Sequence, residues 1–276
     1  MTIKELIDYG NKYLTNDKVS LILSTILKIN PLELSIKNEQ VVSFDLVSEY
    51  KKVVSLIQEG KHIQYALTNS CFYGYDFFVN ENVLIPRFET EELVYHTINY
   101  INKYFKSPLV LDMCTGSGCI GLTLKKECPS INVTLSDISE KALEVLKINQ
   151  SNLNVSAEVV LGDLFENINS KYDILISNPP YVAYDDEIDN LVKNNEPEIA
   201  LYANNNGLEM YERIFSECEN YLNKRYMIAI EIGANQKNNV IDIINKNLRN
   251  VKIIVKNDAN NRDRMLFVFK NVDLNE

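Results

Sequence analysis

Leu109-Val110-Leu111-Asp112-Met113-Cys114-Thr115-Gly116-Ser117-Gly118-Cys119-Ile120-Gly121 reads as a short apolar strand, a glycine turn and the start of a helix. Only Asp112 interrupts the apolar run. Glycine at such a turn lets a ligand approach the backbone and lets the helix pack close to the strand. Gly116-x-Gly118-x-x-Gly121 satisfies the G-x-G-x-x-G spacing, which by itself admits NAD, FAD or any nucleoside cofactor held by such a sheet. Asp137 stands at the end of the next strand. A carboxylate there can accept hydrogen bonds from both ribose hydroxyls. A glycine turn serving packing alone leaves that acid unexplained.

Outward from this stretch, strands and helices alternate. Helices are expected over residues 120–128 and 140–149, and strands over 132–135, 157–161 and 173–177. That rhythm predicts an α/β fold, a mostly parallel sheet with helices on both faces. In such sheets ligands bind beyond the carboxyl ends of the strands. Three further strands are expected at 227–232, 251–256 and 265–269. The last two are joined by too few residues for a crossover helix, so they should pair antiparallel.

The N-terminal quarter is different. Thr2 and Glu5 have the spacing of a capping box. The apolar run 19–29 is closed by Asn30-Pro31, because a residue before proline avoids the helical region. In residues 43–59, Leu46, Val47, Tyr50, Val53, Val54 and Ile57 recur at helical spacing, with Gly60 at the end. This stripe is read as the packing face of a small bundle. A β-hairpin is expected from 77–79 and 83–85 around Asn80-Glu81-Asn82, ended by Pro86, and Glu91 and Glu92 suit the first turn of the helix after it. The division is therefore a helical bundle over 1–72, a hairpin linker over 73–89 and an α/β domain over 90–276.

Charge narrows the choice of partner. Of 276 residues, 28 are Lys or Arg and 38 are Asp or Glu, for a net charge of −10. Residues 1–80 carry 8 basic and 9 acidic side chains, and residues 81–276 carry 20 and 29. The excess of acid in the α/β part argues against a phosphate-backbone partner. Five cysteines without a C-x-x-C pair, and two distant histidines, favour free thiols and offer neither a metal site nor a Ser-His-Asp triad. No apolar run is long enough to span a membrane, and the start of the chain is not signal-like. A cytoplasmic place is expected.

Asn178-Pro179-Pro180-Tyr181 follows the strand over 173–177. The two prolines remove two donors and fix two φ angles, so the loop is stiff. The Asn178 amide oxygen and the Pro179 carbonyl are left as acceptors, and Tyr181 adds a flat ring. Rigid acceptors beside a ring suit a planar –NH2 group, either an exocyclic amine or a carboxamide.

With these residues the chain resembles the HemK-type protein-(glutamine-N5) methyltransferases, which modify peptide chain release factors. The resemblance covers nearly all of the α/β part. Its motifs are Val83-Leu84-Ile85-Pro86-Arg87 before Glu89-Thr90-Glu91, Leu111-Asp112 with Thr115-Gly116-Ser117-Gly118, Ser136-Asp137, Gly162-Asp163, Ser177 through Tyr181, Glu196-Pro197, Glu231-Ile232-Gly233 and Asp263-Arg264. It implies a Rossmann-like class I methyltransferase sheet, preceded by a substrate-docking domain, with S-adenosyl-L-methionine as cofactor, S-adenosyl-L-homocysteine as product and no metal. The cofactor would be held by Cys114, Thr115, Gly116, Ser117, Gly118, Asp137, Asp163, Leu164 and Asn178. In this arrangement Gly116 and Gly118 serve the methionine end, while Asp163 and Leu164 serve the adenine side. Asn178, Pro179 and Tyr181 would be catalytic and, with Pro180, bind the substrate amide. Cys114 departs from the family's glycine, Leu164 from a frequent aromatic, and Asn206 from an Asp before Gly207.

The implied substrate is the glutamine of the Gly-Gly-Gln motif in class-1 release factors, with the enzyme a monomer that does not bind nucleic acid directly. Arg87-Phe88-Glu89 is unlike the Arg-Ser-Pro associated with enzymes that modify a glutamine of ribosomal protein L3, the nearest alternative substrate. An adenine N6-methyltransferase would have to bind nucleic acid and flip a base, against the charge. An NAD-dependent oxidoreductase leaves Asn178 through Tyr181 unexplained, and a non-catalytic module leaves an intact Asn178 and glycine turn without purpose. Six acids against Lys193 in residues 185–198 read as a solvated loop whose charge tolerates a protein substrate.

Overall fold

The computed structural model describes residues 1–274. Its chain divides into two compact units. The first holds α1 (Ile3–Gly10), α2 (Asn16–Leu27), α3 (Pro31–Ile36), α4 (Phe44–Gln58) and α5 (Ile63–Leu67). Thr2 and Glu5 form the reciprocal capping box, with Glu5 N–H donating to Thr2 Oγ1 at 3.2 Å and Thr2 N–H to Glu5 Oε2 at 2.9 Å. Asn30 and Glu33 repeat the device at the start of α3, so the Asn30-Pro31 stop is also a start. Ile3, Leu6, Val19, Ile22, Leu23, Tyr50, Val53 and Val54 form a buried core at helical spacing.

This unit also takes in Ile188–Asn195 from far along the chain, which includes α9 (Asn190–Asn195). The Asn195 side chain clamps the turn before α5. Its Nδ2 donates to Gly60 O at 3.0 Å, and its Oδ1 accepts from His62 N–H at 3.0 Å. The sequence division at residue 72 did not anticipate this excursion, because a six-residue helix carries no periodic signal of its own.

The second unit begins at Ser70. Its hairpin, β1 (Ser70–Phe72) and β2 (Tyr75–Phe77), lies earlier than the sequence reading put it. Tyr73 and Gly74 turn it, both with positive φ (52° and 79°), as a tight two-residue turn requires. Residues 83–85 lie outside any strand, although Val83 and Ile85 are buried. Gly74 was the stronger turn signal.

After α6 (Phe88–Tyr104) the unit runs through β3 (Leu109–Met113), α7 (Cys119–Glu127), β4 (Asn132–Asp137), α8 (Glu140–Asn152), β5 (Glu158–Leu161) and β6 (Tyr172–Ser177). The short α10 (Glu198–Leu201), the turn α11 (Asn204–Gly207) and α12 (Glu209–Glu217) lead to β7 (Leu222–Glu231), α13 (Lys237–Asn247), β8 (Lys252–Asn257) and β9 (Asp263–Lys270). The sheet order is β5-β4-β3-β6-β7-β9-β8. The first five strands pair parallel, and β9 pairs antiparallel with both β7 and β8.

Strand alternation assigns each side chain to a face. Val110, Ile174, Ile176, Met227, Ala229, Met265, Phe267 and Phe269 pack on one side. Leu111, Met113, Leu175, Ile228, Ile230, Leu266 and Val268 pack on the other. Both faces are covered, which is why these strands read as continuous apolar runs. The chain leaves β3 toward β4 and β5, then returns to its other side as β6. That reversal opens a crevice at the carboxyl ends of β3 and β6, where the glycine turn and Asn178 emerge.

Candidate active site

The turn after β3 is built by Asp112. Its buried Oδ2 accepts from Thr115 Oγ1 at 2.5 Å and from Gly121 N–H at 2.9 Å. A Cβ on Gly121 would stand 2.2 Å from Leu135 Cδ2 and 2.9 Å from Asp112 Oδ2, so only glycine brings α7 this close. At Gly116, with φ at +55°, a Cβ would meet nothing within 4 Å; the backbone there opens onto free space. Asp137 ties β4 to this turn. Its Oδ2 accepts from Gly116 N–H at 2.8 Å and its Oδ1 from Ser139 N–H at 2.9 Å. Each carboxylate oxygen retains a lone pair for a further donor. Burial pushes the Asp137 carboxyl up, against the pull of those N–H groups. Burial likewise pushes the Cys114 thiol up, so it stays neutral. Asn149, buried in α8, donates to Ser117 O and Phe78 O at 2.9 Å each, lacing the glycine turn to the segment after the hairpin.

Asn178 ends β6. Its Nδ2 donates to Thr90 Oγ1 at 3.1 Å, and Thr90 Oγ1 donates to Glu231 Oε2 at 2.7 Å. Glu231 Oε1 accepts from the Tyr181 hydroxyl at 3.3 Å. Thr90 and Glu231 are fully buried. Burial pushes the Glu231 carboxyl up to about 7, against the pull of the Thr90 hydrogen bond and the Arg264 charge. The loop continues under restraint. Val182 N–H donates to Leu201 O and its carbonyl accepts from Ala203 N–H, Gln236 Nε2 donates to Tyr181 O at 2.9 Å, and Tyr184 stacks on Tyr202 at 5.0 Å. Within the acidic stretch, Asp185, Asp186, Glu187, Asp189 and Glu198 are exposed, as a solvated loop should be. Glu196 is not. It is buried, pairs with Arg87 at 2.5 Å and accepts from Ile85 N–H at 3.3 Å.

A cavity of ≈ 210 Å³ lies over these loops. Cys114, Thr115, Gly116, Ser117, Asp137, Asp163, Leu164, Asn178 and Pro180 line it. Gly118, Pro179 and Tyr181 do not: Gly118 caps α7 in a left-handed conformation, Pro179 is buried, and Tyr181 turns its hydroxyl to Glu231. The lining also includes Arg87, Thr90 and Arg213, to which sequence reasoning gave no role. Arg213 holds Asp163 Oδ2 at 2.7 Å. Thr90 and Glu231 lay inside quoted motifs, but nothing in their spacing says that they meet. Among the described residues no group of three or more His, Cys, Asp or Glu could hold a metal ion, and no helix is long and apolar enough to cross a membrane.

The residues suit a nucleoside-type ligand: open backbone at Gly116, an acceptor pair at Asp137 on the neighbouring strand, and a second carboxylate at Asp163. Comparison with known proteins points the same way. The methyltransferase small domain family matches residues 96–199. A release factor glutamine methyltransferase from Bacillus anthracis is 34% identical over 254 residues, 90% of each chain. One from Clostridium acetobutylicum is 37% identical over 272 residues, 93% of each chain. Among solved structures, a T. thermophilus 16S rRNA N2 G1207 methyltransferase, in complex with AdoMet and guanosine, shares the fold. It is 12% identical, with a TM-score of 0.53 over 74% of this chain and 50% of its own.

Proposed function

The chain belongs to the release factor glutamine methyltransferases, and we propose that it methylates the N5 side-chain amide of the glutamine in the Gly-Gly-Gln loop of class-1 peptide chain release factors. S-adenosylmethionine, when bound, supplies a sulfonium-activated methyl group. Cys114 through Ser117 would hold its methionine end, with Gly118 shaping that turn as the cap of α7, Asp137 the ribose, and Asp163 with Leu164 the adenine side.

The observation that carries the reading is the state of Asn178. With its Nδ2 engaged by Thr90, its Oδ1 is the end free to accept from a substrate N–H on the cavity side. An amide nitrogen is a weak nucleophile because its lone pair is delocalised into the carbonyl. Orientation therefore dominates. Asn178 Oδ1 would accept one N–H, aim the nitrogen, and stabilise the positive charge that develops on it; the Pro179 carbonyl, on a buried residue outside the cavity lining, would accept the second N–H only after the loop opens toward the substrate. No general base is required, since an N-methylated, protonated amide is strongly acidic. Tyr181 lies outside the cavity lining, and its hydroxyl bond to Glu231 gives it the task of holding the loop.

We assign the first unit to substrate docking. Leu32, Ile36, Val41 and Phe44 are 79%, 79%, 74% and 82% exposed, an unusual display of large apolar side chains within thirteen residues. The reading further takes the enzyme to be a cytoplasmic monomer without direct nucleic-acid contact. Mass spectrometry of release factors and ribosomal protein L3, from cells with and without the gene, tests the assignment. A methylated Gly-Gly-Gln glutamine only when the gene is present supports it. Modification of L3 but not of release factors overturns it.

A further inference from the structure

We infer that Thr90, with Glu231 behind it, decides which end of the Asn178 amide faces the substrate, and so acts as a positioning residue for the reaction. The inference rests on the proposed amide methylation for its consequence, though not for its geometry. The oxygen and nitrogen ends of an asparagine amide are nearly the same size, so packing alone does not choose between them. Only one orientation serves here. With Oδ1 toward the cavity, Asn178 accepts a substrate N–H; flipped, it would set an NH2 group against an NH2 group.

The choice is made by a count of hydrogens. Thr90 Oγ1 has one hydrogen, and it goes to Glu231 Oε2 at 2.7 Å. At pH 8 the Glu231 carboxyl, raised only to about 7, has lost its proton and can only accept. Thr90 therefore has nothing but a lone pair to offer Asn178, and only the Nδ2 end can use a lone pair. Three elements hold this arrangement: Thr90 on α6, Asn178 after β6 and Glu231 at the end of β7. The carboxylate is itself addressed from other sides. Tyr181 donates to its other oxygen, and Arg264 on β9, which donates to Ile232 O at 3.2 Å, places a cation nearby. Thr90 and Glu231 are buried, so bulk water does not compete for the bond between them.

A valine at position 90 keeps the shape and removes the lone pair and the hydrogen together; a serine keeps both. At pH 8, Thr90→Val is expected to lower kcat on release factor about tenfold or more, with the affinity for S-adenosylmethionine by calorimetry within about twofold of the parent. Thr90→Ser is expected to stay within about threefold of the parental kcat. Proton exchange provides a readout independent of substrate. In the 15N-labelled parent at pH 8, one of the two Asn178 Nδ2 protons, assigned by its absence in Asn178→Asp, should exchange slowly. Parental kcat in Thr90→Val, equal loss in the serine and valine variants, or two fast-exchanging Asn178 protons in the parent would each overturn the inference. An inactive parent enzyme would instead refute the proposed reaction, leaving the exchange result to judge the geometry.

Discussion

An asparagine serves as an acceptor in a buried site only if its nitrogen is occupied elsewhere, and that condition is met 88 residues upstream, at Thr90. Loss of one preorganised partner of transition-state charge typically costs about 10²–10³ in rate. Asn178→Ala should fall in that range in steady-state kinetics while calorimetric affinity for S-adenosylmethionine changes less; near-normal turnover would remove Asn178 from the chemistry. Asp137→Ala should behave oppositely, weakening S-adenosylmethionine and S-adenosylhomocysteine by about 1.5–3 kcal/mol through lost charge-assisted bonds. Unchanged affinities would take Asp137 out of the ribose site. Asn178 and Asp137 were legible in the sequence because each stands at the close of a strand pattern, Asn178 just past β6 and beside prolines, Asp137 at the end of β4 and a fixed distance from a glycine turn. The partners of Asn178 were not. Thr90 and Glu231 are 141 residues apart, and their meeting depends on how α6 and β7 are placed, which no local pattern encodes.

Elements were read well where a period was long enough to count. β3 was placed residue for residue, and β4, β6, β8 and β9 to within a few residues, since strands covered on both faces give unbroken apolar runs. Short pieces escaped. The hairpin was placed several residues too late, and α9, α10 and α11 were passed over because their conformation is set by neighbours. In α11, Asn205, Asn206 and Gly207 all have positive φ (53°, 55° and 77°). A Cβ on Gly207 would stand 2.1 Å from Tyr181 O and 2.6 Å from Gln236 Nε2. Gly207→Ala therefore meets two penalties, about 1–2 kcal/mol for a left-handed alanine and displacement of the Tyr181 backbone. Urea unfolding should show the first and a reduced kcat the second. A variant as stable and active as the parent would show that α11 does not support the loop.

At the scale of the whole molecule, two buried carboxyls set a slope of stability with pH. Asp112 and Glu231 are each pushed up to about 7 from ordinary values of 3.8 and 4.5. Between about pH 4 and 7 the folded chain keeps protons that the unfolded chain has released, so stability falls as pH rises through that window, by up to about 1.4 kcal/mol per unit for each group. Urea midpoints taken from pH 5 to 8 should decline and then level off; a rise from pH 5 to 7 would contradict this. For the apolar display on the first unit, replacing Leu32, Ile36 and Phe44 together with serine should raise KM for intact release factor while leaving activity on a Gly-Gly-Gln peptide near parental. Equal effects on both substrates would deny it a docking role. The sequence reading set a bundle, a hairpin linker and an α/β domain one after another along the chain, but the chain crosses between the two compact units three times, since Ile188–Asn195 belongs to the first. Anyone exchanging the helical unit between relatives must graft two segments, residues 1–69 and 188–195, and keep the Asn195 clamp on Gly60 and His62 from a single parent.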